Sequence, residues 1–284
     1  MIKPDGNKSD TVSHSMHASQ QADIERLHEA ISQDARYGHY VRIPERICRC
    51  LDYFNVPSNR SAVKERLHSY YLFIGVVDDL IDSNQLEQGR EILKQLENRT
   101  PYFNEETKQS RAKLVTEVLK CQISLDIYPL MLAKMEELYE AVVRERQSKT
   151  MTHYIEQRKI IGCLTAELSY LLIRPLLKRE NKDLCLFLRN IGEIGCLIDS
   201  VIDLRADGRR GLLSFRPTLK DYLKLTGHML QEGWKVIRRH PRLLRLFSEA
   251  ISDDLFDRLW ARRACRVPDQ LEGSKNSYVL GRAT

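Results

Sequence analysis

The chain reads as an all-α protein: a single-domain, mostly antiparallel helical bundle around a central active-site cavity. Three observations predict it. Apolar residues recur at helical spacing in long segments that prolines punctuate. No stretch makes a convincing β-run of alternating apolar and polar residues. Two of the apolar segments carry clustered aspartates, which on helices would face one another across an interior space.

Taken in order, residues 1–20 are polar and aperiodic and read as a disordered tail. The helical domain is expected over 21–265, with a polar, flexible tail over 266–284. Within the domain, 23–37 reads as a short amphipathic helix, and 45–54 as a modest one between Pro44 and Pro57. Ser61 is the candidate N-cap of a helix over 62–82. Further helices are expected over 86–97, 105–127, 130–147, 152–172, 182–207 (ended by Gly208), 220–238 and 242–265.

Composition narrows the function classes. Apolar content of 42% and charged content of 30% are ordinary for a soluble protein. The net charge of +6 comes without a basic block, so a nucleic-acid groove is not expected, while peripheral contact with a membrane is compatible. No apolar run reaches the length of a membrane span, and the N-terminus lacks the layout of a signal peptide. The seven cysteines, Cys48, Cys50, Cys121, Cys163, Cys185, Cys196 and Cys265, form no CxxC pair. They read as reduced residues of a cytoplasmic protein.

The chemistry sits in two acidic clusters. Asp199, Asp203 and Asp207 recur every fourth residue, which stacks them on one helical face. Like charges at that spacing destabilise a helix by roughly 0.2–0.5 kcal/mol per pair. Their surroundings, including Leu197, Ile198, Val201 and Ile202, are apolar. Upstream, a nearly all-apolar run ends in Asp78, Asp79 and Asp82, where carboxylates also oppose the helix dipole. Partly buried carboxylates need a counter-charge, and Mg²⁺ takes a few carboxylates plus the oxygens of a phosphorylated substrate. All six aspartates are therefore candidate metal ligands. Read alone, each cluster also fits the polar end or the solvated face of a helix.

These residues resemble the class I isoprenoid synthases. Asp78-Asp79-Leu80-Ile81-Asp82 fits the first, DDxxD, motif of that superfamily, and Asp199, Asp203 and Asp207 fit its second, about 120 residues later. Tyr71-Leu72-Phe73 before the first motif and Gly208-Arg209-Arg210-Gly211 after the second resemble the squalene/phytoene synthase branch. The resemblance implies a helical fold, three Mg²⁺ ions (with Mn²⁺ as a substitute) and ionisation of an allylic prenyl diphosphate. It implies diphosphate contacts from Arg158, Lys159, Arg209 and Arg210, and a pocket that includes Tyr71, Phe73 and Tyr154, with Glu167 as a polar member. Read from the residues alone, Arg209 and Arg210 equally cap a helix, Arg158 and Lys159 sit on an exposed turn, and Tyr70, Tyr71 and Phe73 are core.

The chain also departs from the pattern. Ile74-Gly75 stands where the squalene/phytoene branch has an arginine, and Ser83-Asn84-Gln85 stands where chain-elongating enzymes carry arginines. A terpene synthase acting on one substrate is the expectation, with head-to-head coupling as the alternative. Two other readings compete. A non-catalytic bundle would keep the aspartates without the chemistry. A di-iron carboxylate protein is suggested by two ExxH units, Glu25 to His28 and Glu65 to His68.

Overall fold

The computed structural model describes residues 22–83, 85–243, 248, 249 and 252. Among these residues the protein is helical, with no strand beyond one isolated bridge between Ser58 and Leu177. One compact unit spans Met1–Leu244 and a second spans Arg245–Thr284. Both expected tails, and nearly all of the expected 242–265 helix, lie outside the described residues; Pro241–Leu243 is a short 3₁₀ helix. No described helix is long and apolar enough to cross a membrane.

The helices of the first unit follow in chain order. Helix α1 covers residues 22–32. The expected 23–37 helix stops early because Asp34 caps a new 3₁₀ turn, Ala35–Tyr37, its carboxylate accepting from the Arg36 N–H. Helix α2 (Gly38–Tyr53) starts well before the expected residue 45. Pro44 is inside it and buried, so the lost hydrogen bond to the Tyr40 carbonyl is tolerated. Helix α3 (Arg60–Asp82) is capped by Asn59, whose side chain accepts from the Ala62 N–H, and Ser61 is already helical.

Helix α4 (Leu86–Glu97) is as expected. The expected 105–127 helix is two, α5 (Glu105–Gln109) and α6 (Arg111–Gln122), because Ser110 leaves helical geometry and caps the second. Helix α7 (Tyr128–Arg146) accommodates Pro129 in its first turn, where no N–H is needed. Thr150 caps α8 (Met151–Ile173), and Asn181 caps α9 (Lys182–Arg210). Helix α9 runs three residues past the expected end: Gly208 stays helical, and Gly211, at φ 72°, makes the left-handed terminus. A capping box of Thr218 and Asp221 opens α10 (Leu219–Arg239).

The packing that positions the site is α8 against α9, the most extensive helix contact in the unit. Gly162 and Gly192 let the two backbones touch. A Cβ on Gly162 would lie 2.1 Å from the Gly192 carbonyl oxygen, and one on Gly192 equally close to the Gly162 oxygen. Helix α8 also packs on α7 and α3. Tyr70 donates to the Thr165 carbonyl at 3.0 Å, and the Tyr71 and Ser169 hydroxyls share a 2.7 Å hydrogen bond. Both bonds fix the register between α3 and α8. On the other side, Met151, Tyr154 and Ile155 of α8 form an apolar cluster with Leu197 and Leu204 of α9 and Leu225 of α10.

Candidate active site

The first aspartate cluster occupies the last turn of α3, and each carboxylate is held from a different direction. The Tyr40 hydroxyl, from α2, donates to Asp78 Oδ2 at 2.8 Å. Asp79 turns to the 3₁₀ segment, where Arg36 donates at 3.0 Å and the Tyr37 hydroxyl at 3.2 Å. Arg146, the last residue of α7, donates to Asp82 Oδ1 at 2.7 Å. None of these partners is within 35 residues of its aspartate in sequence, so sequence reasoning missed all four.

The second cluster lies along α9, with Arg158 of α8 reaching across to it. Its Nε donates to Ser200 Oγ at 2.8 Å, and a terminal nitrogen donates to the Cys196 carbonyl at 3.3 Å. The Tyr154 hydroxyl, one turn earlier on α8, donates to the same Ser200 hydroxyl at 3.3 Å. Arg158 is thus tied to the turn of α9 on which Asp199 stands.

Electrostatics show which carboxylates share one field. Burial raises the Asp78 pKa, and repulsion from Asp82 and from Asp199 adds to it, while Tyr40 and Arg158 oppose it. Burial likewise raises Asp82, against Arg146, Arg158 and Arg210. Burial, with repulsion from Asp203 and Asp82, pushes Asp207 up to about 6. Asp78 and Asp82 of α3 therefore feel Asp199 and Asp207 of α9, and Arg158 acts on both helices. Burial works against the charge of Arg158 itself, and Glu145 and Asp199 are among the neighbours that hold it. Glu145 of α7 is a further member that sequence reasoning missed; burial raises its pKa, and Arg158 and Arg146 oppose the rise. Asp78 and Asp82 are exposed and Arg158 is half-buried, so the crowding that shifts their ionisation leaves each of them in contact with water.

The other expected site residues are placed as follows. Lys159 is one residue beyond Arg158 but points toward α10, pairing with Glu232 at 2.8 Å and Glu193 at 3.7 Å. Arg209 and Arg210 are exposed in the last turn of α9, where their charge suits the helix dipole; Arg210 also acts on Asp82 and Asp207. Tyr71 and Phe73 are buried in α3, and Tyr154 is buried beside Phe215, ring centroids 6.0 Å apart. Glu167 lies between Lys134 and Arg189, at 3.8 and 3.9 Å, away from the aspartates.

Among the described residues, no three carboxylate, histidine or cysteine side chains converge on one point as metal ligands. The three carboxylates of α3 face their arginine and tyrosine partners instead. The donor set remains one of hard oxygens under mutual repulsion, the set that a Mg²⁺-class ion suits. Comparison of the chain with protein-family models, with curated proteins and with solved structures finds no match.

Proposed function

We propose that this chain is a Mg²⁺-dependent class I isoprenoid synthase. It ionises an allylic prenyl diphosphate, releases diphosphate and converts the carbocation to a terpene product. The observation that carries the reading is electrostatic: Asp199 on α9 raises the Asp78 pKa, Asp82 on α3 raises that of Asp207, and Arg158 opposes the rise at Asp78, Asp82 and Asp207 alike.

The aspartates of the two helices would hold the metal, and when bound there Mg²⁺ supplies the charge that makes diphosphate a better leaving group. Arg158 sits at the seam, where its guanidinium can form bidentate bonds to phosphate oxygens. Arg146 and Arg210, from the α7 and α9 ends, add positive charge that acts on Asp82. Away from the carboxylates, Tyr154 and Phe215 pack edge to face in an apolar cluster with Leu197, Val201 and Leu204. An aromatic wall built from such rings would exclude water and stabilise a carbocation through the ring quadrupoles. Ser200 ties Tyr154 to Arg158, so the aromatic wall and the diphosphate end are set by one side chain.

The test is product analysis. The purified chain with Mg²⁺ receives geranyl, farnesyl and geranylgeranyl diphosphate separately, and diphosphate release and products are read by mass spectrometry. The expected result is a product with the substrate's carbon number, lost in Asp78→Ala and in Asp203→Ala. A doubled carbon number would assign head-to-head coupling instead. No release from any of the three would overturn the reading.

A further inference from the structure

The two ExxH units noted in the sequence are 40 residues apart and lie on different helices, α1 and α3. The fold brings them together. His28 and His68 meet edge to face with ring centroids 5.8 Å apart. Both line a cavity of about 540 Å³ between α1, α2, α3 and α6, and Glu25, Glu29, Glu45 and Glu65 line it too. The aspartate site is elsewhere: none of its residues lines this cavity.

Two features of this cavity ask for an explanation. The Nε2 atom of His28 is buried and has no hydrogen-bond partner among the described residues, an arrangement that costs stability. Secondly, four carboxylates line the cavity against one lysine, Lys64, which pairs with Glu45. A T-shaped pair of rings accounts for the closeness of the histidines, but not for the orphaned nitrogen or the acidic lining.

We propose that His28 and His68 are the nitrogen ligands of a mononuclear site for a divalent first-row transition-metal ion of the zinc class. Two imidazoles on one such ion have centroids about 5–6 Å apart, from metal–nitrogen bonds near 2.0–2.1 Å plus the ring radius. The observed spacing falls in that range. The i,i+3 spacing puts Glu25 beside His28 and Glu65 beside His68, and both glutamates are on exposed helix surface. Glu65, now accepting a hydrogen bond from Gln122 at 3.2 Å, is the candidate third ligand. A di-iron centre would need a carboxylate from each of the other two helices. Helix α2 offers Glu45, but α6 offers Cys121 and Gln122, so one ion fits better than two.

The test uses the full chain, stripped with chelator and titrated with Zn²⁺ in excess Mg²⁺, which occupies oxygen-only sites. One equivalent is expected to bind. His28→Gln and His68→Gln, checked for intact helicity, should each weaken it by at least about tenfold, while a His14→Ala/His17→Ala double variant binds as wild type. Electron paramagnetic resonance of the Cu²⁺-loaded chain reads the nitrogen ligation without any substitution, and two equivalent imidazoles are expected. No Zn²⁺ binding near about 10 µM, or binding unchanged in both single variants, would overturn the proposal. Diphosphate release is not a readout here, so this site and the aspartate site stand or fall separately.

Discussion

Tyr40 lies so close to Gly75 that a Cβ on the glycine would fall 2.6 Å from the tyrosine Cδ2. The missing side chain lets the ring cross from α2 and place its hydroxyl on Asp78, one turn further along α3. Gly75→Ala should destabilise the chain by about 1–3 kcal/mol through overpacking. Tyr40→Phe keeps the ring and removes only the hydrogen bond. It should cost about 1 kcal/mol and raise the Asp78 pKa further. Urea melts of the two variants compare the effects, and equal losses would show that packing at Gly75 has no part in the contact.

Arg158 answers for charge on both aspartate helices. Arg158→Gln should cost roughly 1–3 kcal/mol, below the 3–5 of a fully buried pair because the site stays partly wet. Arg158→Lys keeps the charge but cannot reproduce both bonds to Ser200 and Cys196. Diphosphate release should fall in both variants, by more than tenfold in Gln. Release that survives Arg158→Gln would exclude this side chain from the diphosphate end.

Asp207 sets a pH dependence. Its folded value of about 6 is above its ordinary 3.8. Between those values the folded chain holds a proton that the unfolded chain has lost, so this carboxyl lowers stability as pH rises through the window. Asp207→Asn should therefore raise the melting temperature at pH 7–8 and have little effect below about pH 4. A stabilisation that persists at low pH would trace to something other than ionisation.

Metal and pH are linked through the same group. Ligands must be deprotonated to bind, so Mg²⁺ with inorganic pyrophosphate should raise the melting temperature more at pH 8 than at pH 5. Differential scanning calorimetry reads the shift directly, and chelation with EDTA should reverse it. A pH-independent shift would argue against carboxylate ligands.

Gly162 decides how near Arg158 comes to α9. Gly162→Ala puts a methyl into the Gly192 backbone, which cannot move aside as a flexible side chain would. A loss of about 1–3 kcal/mol or more is expected, with diphosphate release reduced even where the variant stays folded. Gly195→Ala, where a Cβ meets nothing within 4 Å, is the matched control and should be near neutral.

Much of the helical content was legible because it is local. Periodic apolar residues, cap residues and prolines act within a few positions, and α4, α7, α8 and α10 lie within one or two residues of their expected bounds. The errors were local as well. Ser110 capping α6 and Asp34 capping the 3₁₀ turn are side chains competing with helix continuation, a competition that periodicity does not register. Pro44 showed the opposite error: burial kept a helix going through a residue that usually stops one.

By itself the sequence determined which residues carry charge, and that Asp199, Asp203 and Asp207 share one face of α9, because helical pitch alone fixes that relation. Only the tertiary structure decided that Tyr40 meets Asp78, that Arg36 meets Asp79, and that Arg146 meets Asp82. It also decided that Arg158 rather than Lys159 faces the aspartates, and that two distant histidines share a cavity. Those relations depend on how whole helices cross. The crossing is set by close packing, such as the bare backbone at Gly162 and Gly192, summed over residues far apart in the chain.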